Sequence, residues 1–172
     1  MAKDPFSSEI HFWRLDPAEY APTWHLGVGA EKVGGRWNPK GMATVYASLD
    51  ASTAILEVAV HKDFDALDCK PHRLTQARVL DPSRIHVVRP ETIANPNWLV
   101  PGTPSRSQQQ FGADLLRQHP FVLVPSSVSP HSWNLLMNPQ MANGLYELVL
   151  QEPFGLDGRL NKPQASSLKP EA

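Results

Sequence analysis

An α+β fold with mixed or antiparallel sheets and a few helices is what this chain predicts, on three observations. About six short apolar runs have the length or the alternation of strands. Only two segments sustain a helical pattern long enough to be principal helices. Proline accounts for 17 of the 172 residues, roughly twice ordinary usage, which suits short elements joined by rigid turns.

The elements follow in order. Ile10 to Leu15 alternates as a first strand, ended by Asp16-Pro17. Ala18 to Trp24 has room for one helical turn. His25 to Arg36 holds four glycines and reads as a loop. A turn at Asn38 to Gly41 leads into a strand, Ala43 to Ala47. Asp50 is a good N-cap, so a helix runs from Ala51 to about Lys62. Ile55, Leu56, Val58, Ala59 and Val60 cover most of its circumference, which predicts a buried helix. Asp63 to Pro71 reads as a connection, then His72 to Leu80 and Ile85 to Val88 as strands. Pro90 to Gly102 is a loop or a broken helix. A second helix starts at Thr103-Pro104, with proline at its first position, and stops near His119-Pro120. Phe121 to Val124 is a buried strand. His131 to Asn138 reads as short and irregular, and Leu145 to Leu150 as the last strand. Residues 1–150 make one domain, and 151–172 a loosely ordered extension.

Composition excludes several classes. Hydrophobic residues make up 41%, enough for a single core, and the net charge is −1. No basic excess points to direct nucleic-acid binding or to an anionic membrane. The lone cysteine, Cys69, rules out an internal disulfide or a multi-Cys metal site. The seven histidines are scattered without ligand spacing, so no metal site is expected. No apolar run approaches the ~20 residues of a membrane span, and the N-terminus lacks signal-peptide character. A cytoplasmic location is the default.

The chemistry concentrates in residues 34–57. Gly34-Gly35 allows positive φ and close approach to a ligand. Arg36 follows, then Trp37 and an Asn38-Pro39-Lys40-Gly41 turn. Arginine's planar fork suits a pyrophosphate or a carboxylamide, although taken alone Arg36 is an ordinary surface loop residue. Tyr46 lies on the next strand, equally a core tyrosine or a platform for a base. Glu57 sits among apolar neighbours. An acid there is either half of a structural ion pair, with Arg14 or Arg36, or a carboxylate held in a pocket floor. Ser126-Ser127 follows a buried strand, where a strand end opens onto a site.

Gly35-Arg36-Trp37-Asn38, Val45-Tyr46-Ala47-Ser48, Ala54-Ile55-Leu56-Glu57, Val124-Pro125-Ser126 and Asn134 to Pro139 together resemble the RES domain, from about Phe12 to Leu150. The ordered set is specific where no single piece is. The resemblance implies a fold like that of ADP-ribosyltransferases. It also implies a toxin of a toxin–antitoxin pair that consumes NAD+ as substrate, with no resident cofactor. The family's catalytic arginine, tyrosine, glutamate and serine map to Arg36, Tyr46, Glu57 and Ser126, with Ser127 an ambiguous neighbour. Gly35, Trp37, Asn38, Ser127 and Asn134 then stand at the substrate. The implied partner is an Xre-type antitoxin that covers the site and supplies any DNA contact; whether the toxin is a monomer or a homodimer stays open.

The resemblance implies cleavage of the nicotinamide–ribose bond, with Glu57 at the ribose, Arg36 at the phosphates or ribose, Tyr46 stacked on the nicotinamide and Ser126 orienting Glu57 or the amide. The acceptor, water, phosphate or a protein side chain, stays open. Protein ADP-ribosylation is the first alternative, though transferases of the Arg-Ser-Glu type often carry a second glutamate where Ile55 stands here. A non-catalytic binding module is the other.

Overall fold

The computed structural model describes residues 9–160. Seven strands form one sheet: β1 (His11–Pro17), β2 (Val45–Ser48), β3 (His72–Val79), β4 (Ile85–Val87), β5 (Phe121–Pro125), β6 (Trp133–Met137) and β7 (Tyr146–Phe154). Their order across the sheet is β4-β5-β6-β2-β1-β3-β7. All neighbours are antiparallel except β4 and β5. The helices are α1 (Val28–Val33), α2 (Ala51–Cys69) and α3 (Arg106–Gln118). The α+β class expected from the sequence is therefore the one observed. None of the described helices is long and apolar enough to cross a membrane.

Five local expectations are corrected. The segment read as irregular, His131 to Asn138, contains β6, a central strand paired with β2 and β5. Its Leu135, Leu136 and Met137 are fully buried, so pairing on both sides overrides the weak local pattern that Asn134 and the following Asn138-Pro139 create. The glycine-rich loop includes the short α1, with left-handed Gly27 before it and positive-φ Gly34 after it. Helix α2 does not end at Lys62. It breaks at Asp63 (φ 58°), whose side chain then caps a second helical piece by accepting from the Ala66 amide at 3.0 Å. Helix α3 starts two residues beyond Pro104, at Arg106, because Ser105 is the residue whose hydroxyl caps it, at 3.2 Å from the Gln108 amide. Finally, β7 runs past Leu150 to Phe154, since β3 is long enough to pair His72 with Phe154. A 3-10 turn follows at Gly158–Leu160, and the rest of the expected extension, 161–172, lies outside the described residues.

Side-chain alternation sorts the core onto the two faces of the sheet. On one face Phe12, Val45, Ala47, Ala77, Val79, Phe121, Leu135 and Met137 pack beneath Trp24 and Ala142. On the other face lie both long helices. Helix α3 covers β5 and β6 through Leu116, Val122, Val124 and Leu136, joined by Trp37. Helix α2 covers β1 and β3 through Leu15, Ala59, Leu67 and Leu74. It is not buried all round as its composition suggests: Leu56 and Val60 are 38% and 61% exposed. An apolar helix laid on a sheet buries only the side that faces the sheet. Between the two helical clusters, on this same face, β2 and β6 present Tyr46, Ser48 and Asn134.

Candidate active site

Glu57 stands on α2 at this gap. The position follows from the helix start: the Asp50 carboxylate accepts from the Thr53 amide at 2.7 Å and from its hydroxyl at 2.8 Å, so α2 begins directly after β2. Two donors converge on one oxygen of Glu57. Ser126 Oγ donates to Oε1 at 2.8 Å, and Asn134 Nδ2 donates to the same atom at 2.5 Å. Among the described residues, Oε2 takes no protein hydrogen bond. The half-buried carboxylate is thus held by one oxygen and presents the other.

Each donor is itself oriented. Ser126 is fully buried, and its Oγ accepts from the amides of Val128 and Ser129 at 3.2 and 3.0 Å. With its lone pairs taken, its proton is directed at Glu57. Asn134 Oδ1 accepts from Ser48 Oγ at 2.7 Å, which turns the Nδ2 end of the amide toward Glu57. Ser48 and Asn134 are directly paired residues of β2 and β6, so sheet register makes this contact. Ser127 is half-buried and makes no hydrogen bond to Glu57, so of the two serines Ser126 is the one joined to the carboxylate.

The arginine loop is built around Tyr46, two residues and about 7 Å along β2 from Ser48 on the same face. Tyr46 Oη donates to Asn38 Oδ1 at 2.7 Å and accepts from the Trp37 amide at 3.0 Å. Burial of the hydroxyl pushes its pKa well above the ordinary tyrosine value, against smaller opposing effects of the Trp37 amide and the Arg36 charge. Asn38 is fully buried, with Nδ2 at 3.0, 3.1 and 3.0 Å from the carbonyls of Ala30, Pro39 and Met42. Gly35 packs so close that a Cβ would lie 2.5 Å from Tyr46 Oη, and its carbonyl accepts from Gln109 Nε2 at 2.9 Å. Trp37 is 3% exposed in the core under α3. Side chains of Trp37 and Asn38, expected beside the substrate, therefore point inward and shape the loop rather than line a groove.

The loop leaves Arg36 half-buried. Its Nη1 donates to the Trp98 carbonyl and, at 3.3 Å, to that of Val100; Nη2 reaches Val100 O at 3.4 Å. Neither arginine considered as an ion-pair partner for Glu57 takes that role. Arg14 forks onto Asp16 at 2.8–3.0 Å and donates to Tyr46 O at 2.7 Å on the opposite face. Among the described residues Glu57 is in no ion pair, and no three His, Cys, Asp or Glu side chains cluster as metal ligands would.

The structure thus brings Glu57, Ser126 and Asn134 into contact, and Gly35, Trp37, Asn38 and Tyr46 into a second set that carries Arg36. Sequence reasoning missed Ser48, Gln109 and Gly112. Ser48 was visible only as the last residue of the Val45-Tyr46-Ala47-Ser48 piece, with no role attached to it. Gly112 lies in α3 where a Cβ would sit 2.1 Å from the Trp37 carbonyl oxygen, a contact that no local pattern announces.

A family model described as the RES domain matches residues 11–157. The chain is 36% identical over 144 residues to a protein named Toxin Res of Yersinia enterocolitica, covering 81% of this chain and 91% of that one. It is 31% identical over 159 residues to Toxin Res of Photorhabdus laumondii, covering 87% and 96%. It is 33% identical over 136 residues to the Prs ADP-ribosylating toxin of a Sphingobium species, covering 74% and 81%. Its fold is similar to that of a chain in the MbcT–MbcA toxin–antitoxin complex of M. tuberculosis, with a TM-score of 0.65 at 20% identity over 86% of this chain and 85% of that one. With the family match spanning all seven strands, this chain belongs to the RES domain family.

Proposed function

We propose that this chain is the toxin of a toxin–antitoxin pair and that it cleaves the nicotinamide–ribose bond of NAD+. The observation that carries the reading is the Glu57 carboxylate, fixed through Oε1 by two oriented donors with Oε2 free. Such a preorganised charge suits a reaction in which positive charge develops on a sugar. The C–N bond breaks with its electron pair leaving on neutral nicotinamide, which needs no acid. The ribose becomes oxocarbenium-like, and Oε2 of Glu57 accepts from a ribose hydroxyl and faces the developing charge. With water as acceptor, a C–O bond forms and a proton is lost to solvent; phosphate would give the ribosyl phosphate instead. Ser126, Asn134 and, through Asn134, Ser48 are positioning residues. Arg36 exchanges its carbonyl contacts for the pyrophosphate. Tyr46 offers only its ring to the nicotinamide, because its hydroxyl is committed to the loop. NAD+ is substrate, with no resident cofactor or metal in the scheme.

The names of the relatives and the solved toxin–antitoxin complex support a protein partner. We assign it as an Xre-type antitoxin that covers the groove, in the cytoplasm, with DNA contacted only through it. The name of the Sphingobium relative favours a second reading, the same bond cleavage with a protein side chain as acceptor. Incubating the purified chain with NAD+ labelled in the adenylate part separates them. Release of nicotinamide with free labelled ADP-ribose or its phosphate supports the first reading, and label on protein the second. No nicotinamide release would end both.

Two variants test the geometry within this reading. Arg36→Lys is expected to be nearly as damaging as Arg36→Ala, because one ammonium cannot span the two positions the guanidinium reaches. Steady-state kinetics decide it; a lysine variant with unchanged kcat and KM would remove the fork from the scheme. Ser48→Ala is expected to lower kcat about fivefold with little change in KM, the worth of one hydrogen bond that orients the Asn134 amide. Ser48→Thr should recover most of it, since the hydroxyl stays. A melting curve shifted as much as the rate would mean that Ser48 only supports the sheet.

A further inference from the structure

Beside the arginine loop lies a cavity of about 270 Å³, between the N-terminus of α3 and the segment 95–104. Arg36, Trp98 and Gln108 are among its lining residues. Glu57, Ser126 and Asn134 are not among its lining residues. Gln108 is 2% exposed, yet among the described residues neither its Nε2 nor its Oε1 has a hydrogen-bond partner. A buried carboxamide left without partners is destabilising, and native proteins rarely keep one without use. Its backbone gives no reason for it: the Gln108 amide is already satisfied by the Ser105 cap. The cap also holds Asn95, whose Nδ2 donates to Ser105 Oγ at 3.0 Å, so the wall facing Gln108 is fixed to the helix.

A carboxamide offers one acceptor beside one donor pair. Its complement is a planar group with a donor beside an acceptor, and an adenine edge is such a group. Nicotinamide's own carboxamide has the same chemistry. Placement decides between them. The ribose being cleaved must lie at Glu57, so its nicotinamide lies there too. Arg36 lines the cavity and Glu57 does not. Its volume falls below the roughly 300–1,000 Å³ of sites that enclose whole drug-sized ligands, which suits part of a dinucleotide. Trp98 brings an aromatic side chain to the lining, and the amide ends of α3 with Arg36 favour phosphate at the mouth.

We infer that this cavity is the adenine subsite, with Gln108 pairing to the amidine edge of the base, Trp98 stacking on it and Arg36 gripping the adjoining pyrophosphate. The inference rests on the proposed NAD+ reaction and names the end of the dinucleotide that enters here.

The test uses the full chain and two halves of the substrate: ADP-ribose, which lacks nicotinamide, and nicotinamide mononucleotide, which lacks adenine. Titration calorimetry on Gln108→Met should show ADP-ribose binding weakened about tenfold, the worth of a bidentate base contact, with nicotinamide mononucleotide binding unchanged. The melting temperature should hold or rise, because an orphan amide is removed. On the unaltered protein, an ADP-ribose analogue lacking the 6-amino group should bind about tenfold more weakly than ADP-ribose, a readout independent of any folding defect. Loss of mononucleotide binding instead would put nicotinamide in the cavity and overturn the assignment. Unchanged ADP-ribose binding in the variant, or equal binding of the analogue, would leave the cavity to water and overturn it as well. NAD+ turnover by the unaltered chain is measured alongside. If turnover stands and these binding results fail, only the subsite is wrong; if turnover is absent, the reaction itself is.

Discussion

Glu57→Gln is expected to reduce NAD+ cleavage by about 10²–10³ while leaving the fold in place. The glutamine is isosteric, and its carbonyl oxygen can still accept from Ser126 and Asn134, so the hydrogen bonds that position Glu57 survive the substitution. What is lost is the negative charge opposite the ribose, and the free Oε2 becomes an NH2 that cannot accept from a ribose hydroxyl. The deficit should therefore appear in kcat, with KM for NAD+ nearly unchanged, because the charge interacts mainly with the transition state. Steady-state nicotinamide release, with a melting curve as control, measures it. A variant with near-normal kcat would make Glu57 a structural residue and remove the mechanism. A variant that is slow only because it melts early would say nothing about charge, and the preserved donors predict that this does not happen.

The second large effect is expected far from the carboxylate. Gly112→Ala should lower the melting temperature by about 5–10 °C and impair turnover with it. Two opposing terms act at this position. Alanine favours a helix over glycine by about 1 kcal/mol. Against this, the new Cβ would sit 2.1 Å from the Trp37 carbonyl oxygen and 2.7 Å from its carbonyl carbon and Cα. The obstacle is backbone, which cannot rotate away as a side-chain end would, so overpacking wins. The displaced backbone is that of the arginine loop, so Arg36 moves with it. Gly29→Ala, in α1, is the control: nothing lies within 4 Å of its Cβ, and the substitution should be neutral or stabilising. Thermal melts of both variants decide the matter. A Gly112→Ala protein as stable and active as the parent would show that α3 and the loop can separate freely, and that the loop is not clamped by this contact.

The elements most legible in the sequence are those whose signal is local. The Asp50 cap and the apolar run after it placed the start of α2, and Glu57 with it, because capping and helical period act within a few residues. Likewise β1, β3 and β5 were readable from their apolar runs, although β1 continues through Asp16-Pro17, which pair with β3. The candidate residues were legible as a set only through the ordered resemblance of five short pieces, since an arginine after two glycines or a serine after a strand is commonplace. What stayed hidden has one cause, distance along the chain. β6 looked irregular because its order comes from β2 and β5, some ninety and ten residues away, and not from its own pattern. The contact of Asn134 with Ser48 spans 86 positions, and that of Ser126 with Glu57 spans 69. Trp37 and Asn38, read as exposed to substrate, are inside because Tyr46 and α3 close over them, a fact of packing that residue type does not carry. Residue identity and local pattern determined the class of fold, the position of the acid and the presence of an arginine loop. Register and packing decided which donors meet the carboxylate, which oxygen stays free and which face of the loop turns outward. Hydrogen-bond geometry is set to tenths of an ångström, and only the assembled sheet and helices position atoms from distant segments that closely.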